Sequence, residues 1–477
     1  MNSKKQVTRF RLLIALSTLF AVTGCGSQSS PPSSLSQSAG APAGVEARIF
    51  VGNTNKTVSV INHGDAGNSI SSSIDVGSNP GDMASSNKNH IFVNMGSTNQ
   101  TAALDPVGET ATFKKFIAVG QRPAHIYQEA PDGSRIWVMN DADPNTGIDT
   151  VTSACNTAQT ASVSVIQNHG EGGEEESNPG EVLATICVGK GHHNTAFTYP
   201  TPTAPSVPLR AFISNQISGN ISVIDNDPAS ANYLKVIGTI DLCDPSKESG
   251  GVCDADPSTS NESGPHGMYF SPVNGRIYNH NEEYKNVVVI NPSVTDFSLA
   301  IEATLDTGFS GATRLSADGR FFFVRGTDTQ SDATRVTGKL AIVNVADNSF
   351  TVVDLPDFSP SSLAFTADGR KLYIASGASG NTDQKASQKS NVVSVFDTTA
   401  LPVLPLLKEI TVGATTAGRS IGILEHDGEA THVFATNRAD GTVSVIDAQT
   451  DAEIDKIQVG GTPTSLFVFP MEGALAH

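Results

Sequence analysis

The sequence predicts an all-β protein: a β-propeller of eight blades, with seven blades as the alternative. Three observations predict this fold, namely the composition, a strand motif that recurs along the chain, and two chain ends that complete one another. Only 16% of the 477 residues are charged, whereas glycine occurs 43 times. Such a composition favours many short strands joined by tight turns over helices.

The recurring motif is a short run of β-branched residues that alternate with others and end at Asn, Asp or Gln. This pattern is typical of a half-buried strand followed by a turn. Eight copies occur, and their first residues lie 43 to 66 residues apart. They are Val58–Asn62, Thr101–Asp105, Val163–Gln167, Ile221–Asp225, Val287–Asn291, Leu340–Asn344, Val393–Asp397 and Val443–Asp447.

Three further strand-like segments surround each copy, and several lead into Asp-Gly pairs, which favour the positive φ of a tight turn. Four strands per unit at this period are typical of propeller blades, which must stack in a ring to bury both faces. Ala47–Val51 begins in mid-blade and Thr464–Phe469 reads as an innermost strand. The C-terminal strand would therefore join the N-terminal strands and close the ring. Seven blades would result if the degenerate copy Thr101–Asp105 merged with a neighbour.

These repeats resemble the YVTN-repeat β-propeller family. The best match is Val433–Asp447, which reads VFATNRADGTVSVID and is followed by Val459-Gly460-Gly461-Thr462-Pro463. Partial matches occur at Ala211–Asp225 and Ile49–Asn62. The resemblance covers residues 47–470 and implies the propeller fold. It implies no single function, because such propellers serve as enzymes, metal sites and docking platforms.

The N-terminal segment resembles a targeting signal. Four basic residues precede an apolar stretch, Leu12–Val22, that is too short to span a bilayer. The stretch ends in Val22-Thr23-Gly24-Cys25, which resembles a bacterial lipobox. The resemblance implies that residues 1–24 are a lipoprotein signal peptide and that Cys25 becomes an acylated N-terminus. It also implies export and anchoring in the cell envelope, at the outer membrane if the cell is Gram-negative.

The remaining boundaries follow from this reading. Residues 25–45 are predicted to be a Ser/Pro-rich flexible tether, because they show no periodicity and little to bury. Residues 46–470 form the propeller, and residues 471–477 form a disordered tail.

Four cysteines remain after Cys25, and an even number in an exported protein favours two disulfides. Three pairings are open. Cys155–Cys187 and Cys243–Cys253 are preferred because each closes a local loop.

The innermost strand of each blade lines the central channel, so the first residues of these strands surround the axis. Three consecutive blades place histidine near this position: His125, His192 or His193, and His266; the blade before them offers Asp82. Imidazole and carboxylate groups that converge in this way are typical of a site for zinc, copper, iron or nickel. One residue of register decides which side chain faces the axis, so His192 and His193 stay open as alternatives. A hydrated polar channel mouth is the other interpretation.

Two further candidate sites involve charged residues. Arg314 and Arg419 begin innermost strands opposite the histidines and could hold an anion such as a carboxylate, or balance local acidic charge. The side chains of Asp141, Asp143, Asn145 and Asp149 are spaced like those of a calcium loop. The glycine of that loop comes one place late and no glutamate closes it, so a solvated acidic turn is the alternative to structural calcium.

Several partners and chemistries are disfavoured. The net charge of −18 and the 6% of aromatic residues argue against nucleic acid as a partner. The sequence also contains no nucleophile elbow, phosphate-cradling loop, dinucleotide-binding glycine motif or His-Glu-x-x-His.

Three functions remain open, and a binding protein is favoured over an enzyme. The first is a lipid-anchored platform that binds a protein or polymer at the cell envelope. The second is a metal-binding propeller, linked in some form to redox chemistry, since YVTN-like propellers resemble the ring domains of nitrous-oxide reductase and haem d1 enzymes. The third is a lactonase-like hydrolase, because bacterial lactonases use related propellers.

Overall fold

In the computed structural model, which describes residues 42–86, 90–167, 180–471 and 474–476, eight antiparallel sheets form the blades of a β-propeller. Seven sheets have four strands and one has five. The predicted eight blades are confirmed. The seven-bladed alternative is wrong, because Thr101–Asp105 lies in a sheet of its own, paired on both sides within the second blade.

The strands are numbered in chain order. The first four blades contain β1 (Val45–Asn53), β2 (Thr57–Gly64), β3 (Ser69–Asp75); β4 (Met83–Ser86), β5 (His90–Met95), β6 (Gln100–Asp105), β7 (Thr112–Ala118); β8 (Pro123–Gln128), β9 (Arg135–Asn140), β10 (Ala161–Gln167), β11 (Glu181–Val188); β12 (His193–Thr198), β13 (Arg210–Asn215), β14 (Asn220–Asp225), β15 (Val236–Asp241).

The other four blades contain β16 (Pro265–Ser271), β17 (Arg276–Asn281), β18 (Asn286–Ile290), β19 (Ile301–Asp306); β20 (Ala312–Leu315), β21 (Phe321–Asp328), β22 (Thr337–Asn344), β23 (Phe350–Pro356); β24 (Pro360–Phe365), β25 (Lys371–Ser376), β26 (Val392–Asp397), β27 (Leu406–Thr411); β28 (Ile421–His426), β29 (Glu429–Asn437), β30 (Thr442–Asp447), β31 (Ala452–Gln458). Two strands follow: β32 (Pro463–Pro470) and β33 (Ala474–Ala476).

The ring closes as the two chain ends predict. Strand β32 pairs antiparallel with β1 over seven positions, from Ala47 opposite Pro470 to Asn53 opposite Pro463, and becomes the innermost strand of blade 1. Strand β33 adds a fifth strand to blade 8 by pairing with β28. Part of the segment that the sequence leaves as a disordered tail therefore takes part in a sheet.

The apolar core is divided into eight clusters, one at each interface between neighbouring blades. Adjacent residues serve opposite interfaces, because side chains alternate between the faces of a strand. Phe322 packs toward blade 5, for example, and Phe323 toward blade 7. Burial of one such ring contributes about 1.5–3 kcal/mol, so the blades stabilise one another rather than folding singly.

An asparagine at the end of the second strand stiffens most blades. In blade 8, Asn437 donates from Nδ2 to the hydroxyls of Thr442 and Ser444, at 2.8 Å each. Asn53, Asn94, Asn140, Asn215 and Asn281 lie at the same place in their blades and make similar side-chain bonds. These bonds join neighbouring strands just where the ladder gives way to a turn.

Both predicted disulfides are confirmed. Cys155–Cys187 joins the short helix α1 (Ser153–Ala158) to β11, and Cys243–Cys253 closes the loop after β15. A second short helix, α2 (Thr382–Ser387), lies in the connection between β25 and β26. A 3-10 turn spans Phe297–Leu299.

The signal peptide (1–24), Cys25 and most of the tether (25–45) lie outside the described residues. Within the part of the chain that the structure describes, no helix has both the length and the apolar character needed to cross a membrane.

Candidate metal centre

Three consecutive innermost strands bring His125, His192 and His266 together at one end of the central channel. His125 is the third residue of β8, His192 directly precedes β12, and His266 is the second residue of β16. The pairing of β8 with β9 and of β16 with β17 is irregular over these positions. Such irregularities re-aim side chains, and here they accompany imidazoles that lie together near the axis.

The irregularity in β16 depends on Gly267. This residue has a φ of +99°, and a Cβ added there would lie 2.4 Å from Oγ1 of Thr313 in the next blade. Glycine alone therefore fits between the two strands while His266 takes its place in the cluster.

The imidazoles are close enough to share one ion. One ring nitrogen from each histidine lies within 4.8 Å of the others, and among the described residues this is the group of three or more metal-ligating side chains that the structure assembles. The Nε2 atoms of His125 and His192 are 2.8 Å apart. The ring centroids of His192 and His266 are 4.8 Å apart.

A carboxylate occupies the far side of each ring. Nδ1 of His125 contacts Asp82, Nδ1 of His192 lies 2.6 Å from Asp141, and Nδ1 of His266 lies 2.9 Å from Glu282. Ionised carboxylates only accept hydrogen bonds, so each Nδ1 carries the proton and donates it. The Nε2 atoms of His125 and His192 are then left as lone pairs that face each other, and a ring nitrogen of His266 lies within 4.8 Å of the group.

That arrangement favours a cation at the centre. Two neutral imidazoles cannot hydrogen-bond to each other through two lone pairs, so the 2.8 Å contact needs a proton or a metal between them. Nitrogens around a tetrahedral zinc lie about 3.3 Å apart, given Zn–N bonds of about 2.0–2.1 Å. The rings of His125 and His192 need to separate by only about half an ångström to meet this geometry.

The carboxylates also set the protonation of the site. Burial lowers the pKa of His125, but the hydrogen bond and charge of Asp82, together with the charge of Asp141, raise it above its usual value. Burial raises the pKa of Glu282, but its hydrogen bond to His266 and the charges of His266 and His280 lower it on balance. The lowered pKa of Glu282 favours an ionised carboxylate beside His266, whereas the raised pKa of His125 means that a metal must compete with a proton for this ring.

The structure resolves the choice between His192 and His193. The side chain of His193 points away from the cluster, is fully buried, and has Nδ1 3.0 Å from the carbonyl of Ser214. Burial lowers its pKa to about 4. The prediction that Asp82 is a ligand also needs correction, because Asp82 contacts the far nitrogen of His125 and acts as its hydrogen-bond partner.

Arg419 does not face a ligand. It is 3% exposed, and its guanidinium donates to the carbonyls of Thr436, Ser390 and Gly413 and to the side chain of Asn437. These bonds engage its guanidinium within the fold and do not favour the anion role predicted for it. Arg314 lies within β20 and is partly buried.

The oxygens of the predicted calcium loop do not converge. Asp141 binds His192, and Asp143 accepts hydrogen bonds from the backbone of Asn145 and Thr146. Asp149 binds Ser162 and the backbone N–H groups of residues 151 and 152. These contacts engage the carboxylates within the protein, and Asp141 and Asp149 are buried, so the loop also differs from the solvated acidic turn that the sequence left as the alternative.

Sequence reasoning missed the roles of Asp141 and Glu282. Both follow a predicted second strand, Asp141 directly after β9 and Glu282 directly after β17. The sequence does carry a signal for these roles. Each carboxylate follows a second strand and lies beside the start of an innermost strand that bears a histidine.

No protein-family model and no curated protein sequence matches this chain. The YVTN resemblance therefore stays a prediction.

Two solved structures with TM-scores above 0.5 show the same fold, and a third is similar at a lower score. AztD from Citrobacter koseri is 13% identical with a TM-score of 0.53, covering 91% of this chain and 98% of its own. NirN, described as a dihydro-heme d1 dehydrogenase in complex with DHE, is 12% identical with a TM-score of 0.56, covering 88% and 75%. A putative 6-phosphogluconolactonase from Bacteroides fragilis is 15% identical with a TM-score of 0.49, covering 77% and 96%.

Proposed function

We propose that this protein is an extracytoplasmic metal-binding propeller that holds one divalent transition-metal ion, zinc being the best match, at the mouth of its channel. The ligands are the Nε2 atoms of His125, His192 and His266. One observation carries the proposal: a ring nitrogen from each of three histidines lies within 4.8 Å of the others, while Nδ1 of each ring contacts a carboxylate.

The donor set selects the class of metal. Neutral imidazole suits zinc, copper, nickel and iron, whereas calcium and magnesium prefer oxygen ligands. The four cysteines of the propeller are joined in disulfides and offer no thiolate. Three histidines with an open fourth position are a frequent arrangement for zinc.

The site is placed for exchange with solvent. The histidine side chains are 21–29% exposed, so an ion held there would stay accessible from the channel mouth. A bound metal would supply Lewis acidity and an open coordination position for water or an anion. The three nearby carboxylates each have an oxygen engaged by an imidazole, so they orient the proposed ligands.

The two disulfides support an oxidising compartment. Together with the lipobox-like segment ending at Cys25, they support a site carried on the cell envelope by a lipid anchor. A protein or polymer of the envelope remains the expected partner for the rest of the propeller surface.

Metal titration tests the proposal. The purified protein is stripped with a chelator, dialysed, and titrated with Zn²⁺ while bound metal is measured by mass spectrometry. We expect one equivalent per chain, and loss of that equivalent in the double variant His125→Ala, His266→Ala. The variant His426→Ala is the matched control, because His426 is exposed on blade 8. Equal binding by the double variant, or no stoichiometric binding by the unmodified protein, would overturn the proposal.

Binding of cobalt gives a second measurement, which does not depend on the number of metal equivalents bound per chain. Co²⁺ bound by three imidazoles and water has visible absorption bands that reveal its coordination number. We expect a four- or five-coordinate spectrum in the unmodified protein and in His426→Ala. A six-coordinate spectrum identical to that of the double variant would mean that the histidines do not ligate the ion.

A further inference from the structure

Besides the histidine cluster, the protein has a polar cleft where blades 6, 7 and 8 meet. It has a volume of about 470 Å³, and its lining includes Arg325, Ser361 and Gly418. Arg325 lies opposite Ala312, the first residue of innermost strand β20, so the cleft opens at the same end of the channel as the histidines. It belongs to other blades than the metal centre and shares no residue with it.

Arg325 has hydrogen-bonding capacity to spare. Its guanidinium donates from Nη1 to the carbonyl of Pro360 at 2.9 Å. Among the described residues no carboxylate forms an ion pair with it. Burial lowers its pKa to about 10, so it stays charged at neutral pH. An arginine has five N–H donors, and most of these are left for a ligand.

Two buried arginines differ from the partly buried Arg325 in this respect. The guanidinium of Arg419 donates hydrogen bonds to three backbone carbonyls and to Asn437. The guanidinium of Arg48 donates to Asn62 and to the carbonyls of residues 106, 108 and 109. Those two arginines tie the fold together. Arg325 has one such bond and borders open space.

Hydroxyl groups and bare backbone complete the wall. Thr327, Ser359 and Ser379 form a chain of hydroxyls with oxygen separations of 3.0 and 2.7 Å along the cleft. Hydroxyl hydrogens rotate to suit their acceptor, so such a chain can donate toward a ligand. Gly326 and Gly418 add no side chain that would fill the space.

Positive charge continues outward from Arg325. A neighbouring groove of about 480 Å³ shares Ser310, Thr327 and Thr329 with the cleft and is lined by Lys285 and Lys339. Lys339 is paired with Asp354, whereas Lys285 is exposed. Asp328 also lines this groove and Asp354 offsets Lys339, so the attraction for an anion comes from Arg325 and the exposed Lys285.

We propose that this cleft is a binding site for a small oxyanion, a carboxylate or a phosphate, held by the guanidinium of Arg325 and the hydroxyls beside it. The planar fork of arginine matches the two oxygens of such a group. The cleft volume lies in the range of small-molecule sites. The inference does not rest on the metal centre, so either site can fail without the other.

Calorimetric titration of the metal-free protein tests the proposal, with citrate as the carboxylate probe and inorganic phosphate as the alternative. We expect one of them to bind saturably, with a Kd below about 10 mM. Arg325→Gln should weaken binding at least about tenfold, whereas Arg325→Lys, which keeps the charge but loses the fork, should fall between. Arg320→Gln is the matched control, because Arg320 is an exposed arginine at the other end of β21.

Gly418→Val gives a test that keeps Arg325 in place. A Cβ at Gly418 meets only Cβ of Ser361, at 3.9 Å, so the fold should accept the change while the side chain fills the cleft. We expect weaker anion binding with an unchanged melting temperature. Saturable binding that survives both Arg325→Gln and Gly418→Val, or no saturable binding of either probe, would overturn the proposal. Binding of citrate but not phosphate would identify the ligand as a carboxylate, and binding of phosphate but not citrate would identify it as a phosphate.

Discussion

His125 and His192 face each other with their Nε2 atoms 2.8 Å apart, while the other nitrogen of each ring lies on a carboxylate. The relationship is informative because the carboxylates decide where the protons are. With both protons turned outward, the inner nitrogens present two lone pairs to a space that suits a cation. His266 adds a third from the next blade.

The outer carboxylates should tune metal affinity according to their burial. The Asp141 side chain is 10% exposed and that of Asp82 is 49% exposed. We expect Asp141→Asn to weaken zinc binding about 10- to 100-fold, since it removes the partner that orients His192, and Asp82→Asn to have a smaller effect. Competition with a fluorescent zinc chelator measures both. Asp143→Asn, in the exposed turn nearby, serves as the control, and equal affinities in all three variants would contradict the assignment.

The affinity for zinc should decrease as the pH is lowered. A metal competes with protons for the imidazoles, and the raised pKa of His125 means that this competition begins above the ordinary histidine pKa of 6.5. Between pH 8 and pH 5.5, we expect the zinc Kd to rise by up to about tenfold per pH unit for each proton displaced. Asp82→Asn removes a charge that raises the pKa of His125. In this variant, the loss of zinc affinity should therefore begin at a lower pH. A Kd that is independent of pH would argue against imidazole ligands.

Folding stability of the metal-free protein should decrease in acid through His280. This side chain is fully buried, and burial lowers its pKa to about 4 from an ordinary value of 6.5. Above pH 6.5 both folded and unfolded forms are neutral. As pH falls from 6.5 to 4, His280 binds a proton in the unfolded chain but not in the folded protein, so this residue lowers the free energy of unfolding by about 3 kcal/mol.

Urea unfolding at pH 7.5 and at pH 4.5 measures this loss. We expect His280→Asn to show a smaller difference between the two pH values than the unmodified protein. His426→Asn, at an exposed position, should show the full difference. The same pH dependence in all three proteins would mean that other groups account for the acid sensitivity.

The two disulfides should contribute unequally to stability. They join residues 32 and 10 positions apart. Loop-closure entropy then predicts about 3.7 kcal/mol for Cys155–Cys187 and about 2.7 kcal/mol for Cys243–Cys253. We expect the double serine variant of the first pair to melt at a lower temperature than that of the second. Calorimetry measures the order, and the reverse order would show that native contacts in the loops outweigh chain entropy.

Cys25 should determine where the protein is found. If the cysteine is acylated, the unmodified chain should partition with membranes, and Cys25→Ala should shift it to the soluble fraction with its metal binding intact. Fractionation followed by zinc titration measures both. A soluble unmodified protein would exclude the lipid anchor without affecting the metal proposal.

Repeated local patterns made the blade count predictable. An alternating run such as Val443–Asp447 specifies a strand, and Asp-Gly pairs such as Asp427-Gly428 adopt the positive φ values that a tight hairpin requires. The disulfides followed because each pair is close in sequence. The histidines were found because the position at the start of an innermost strand repeats from blade to blade.

The sequence by itself therefore determined the fold, the closure of the ring and the neighbourhood of the histidine cluster. Only the tertiary structure decided which side chains meet there. It turned His192 toward the axis and His193 into a sheet, made Asp82 and Asp141 partners of imidazoles, and left Arg325 rather than Arg419 with donors to spare. The physical reason is that strands and turns follow from local periodicity, whereas a site on the axis depends on the register of several blades, where one residue sends a side chain to the opposite face.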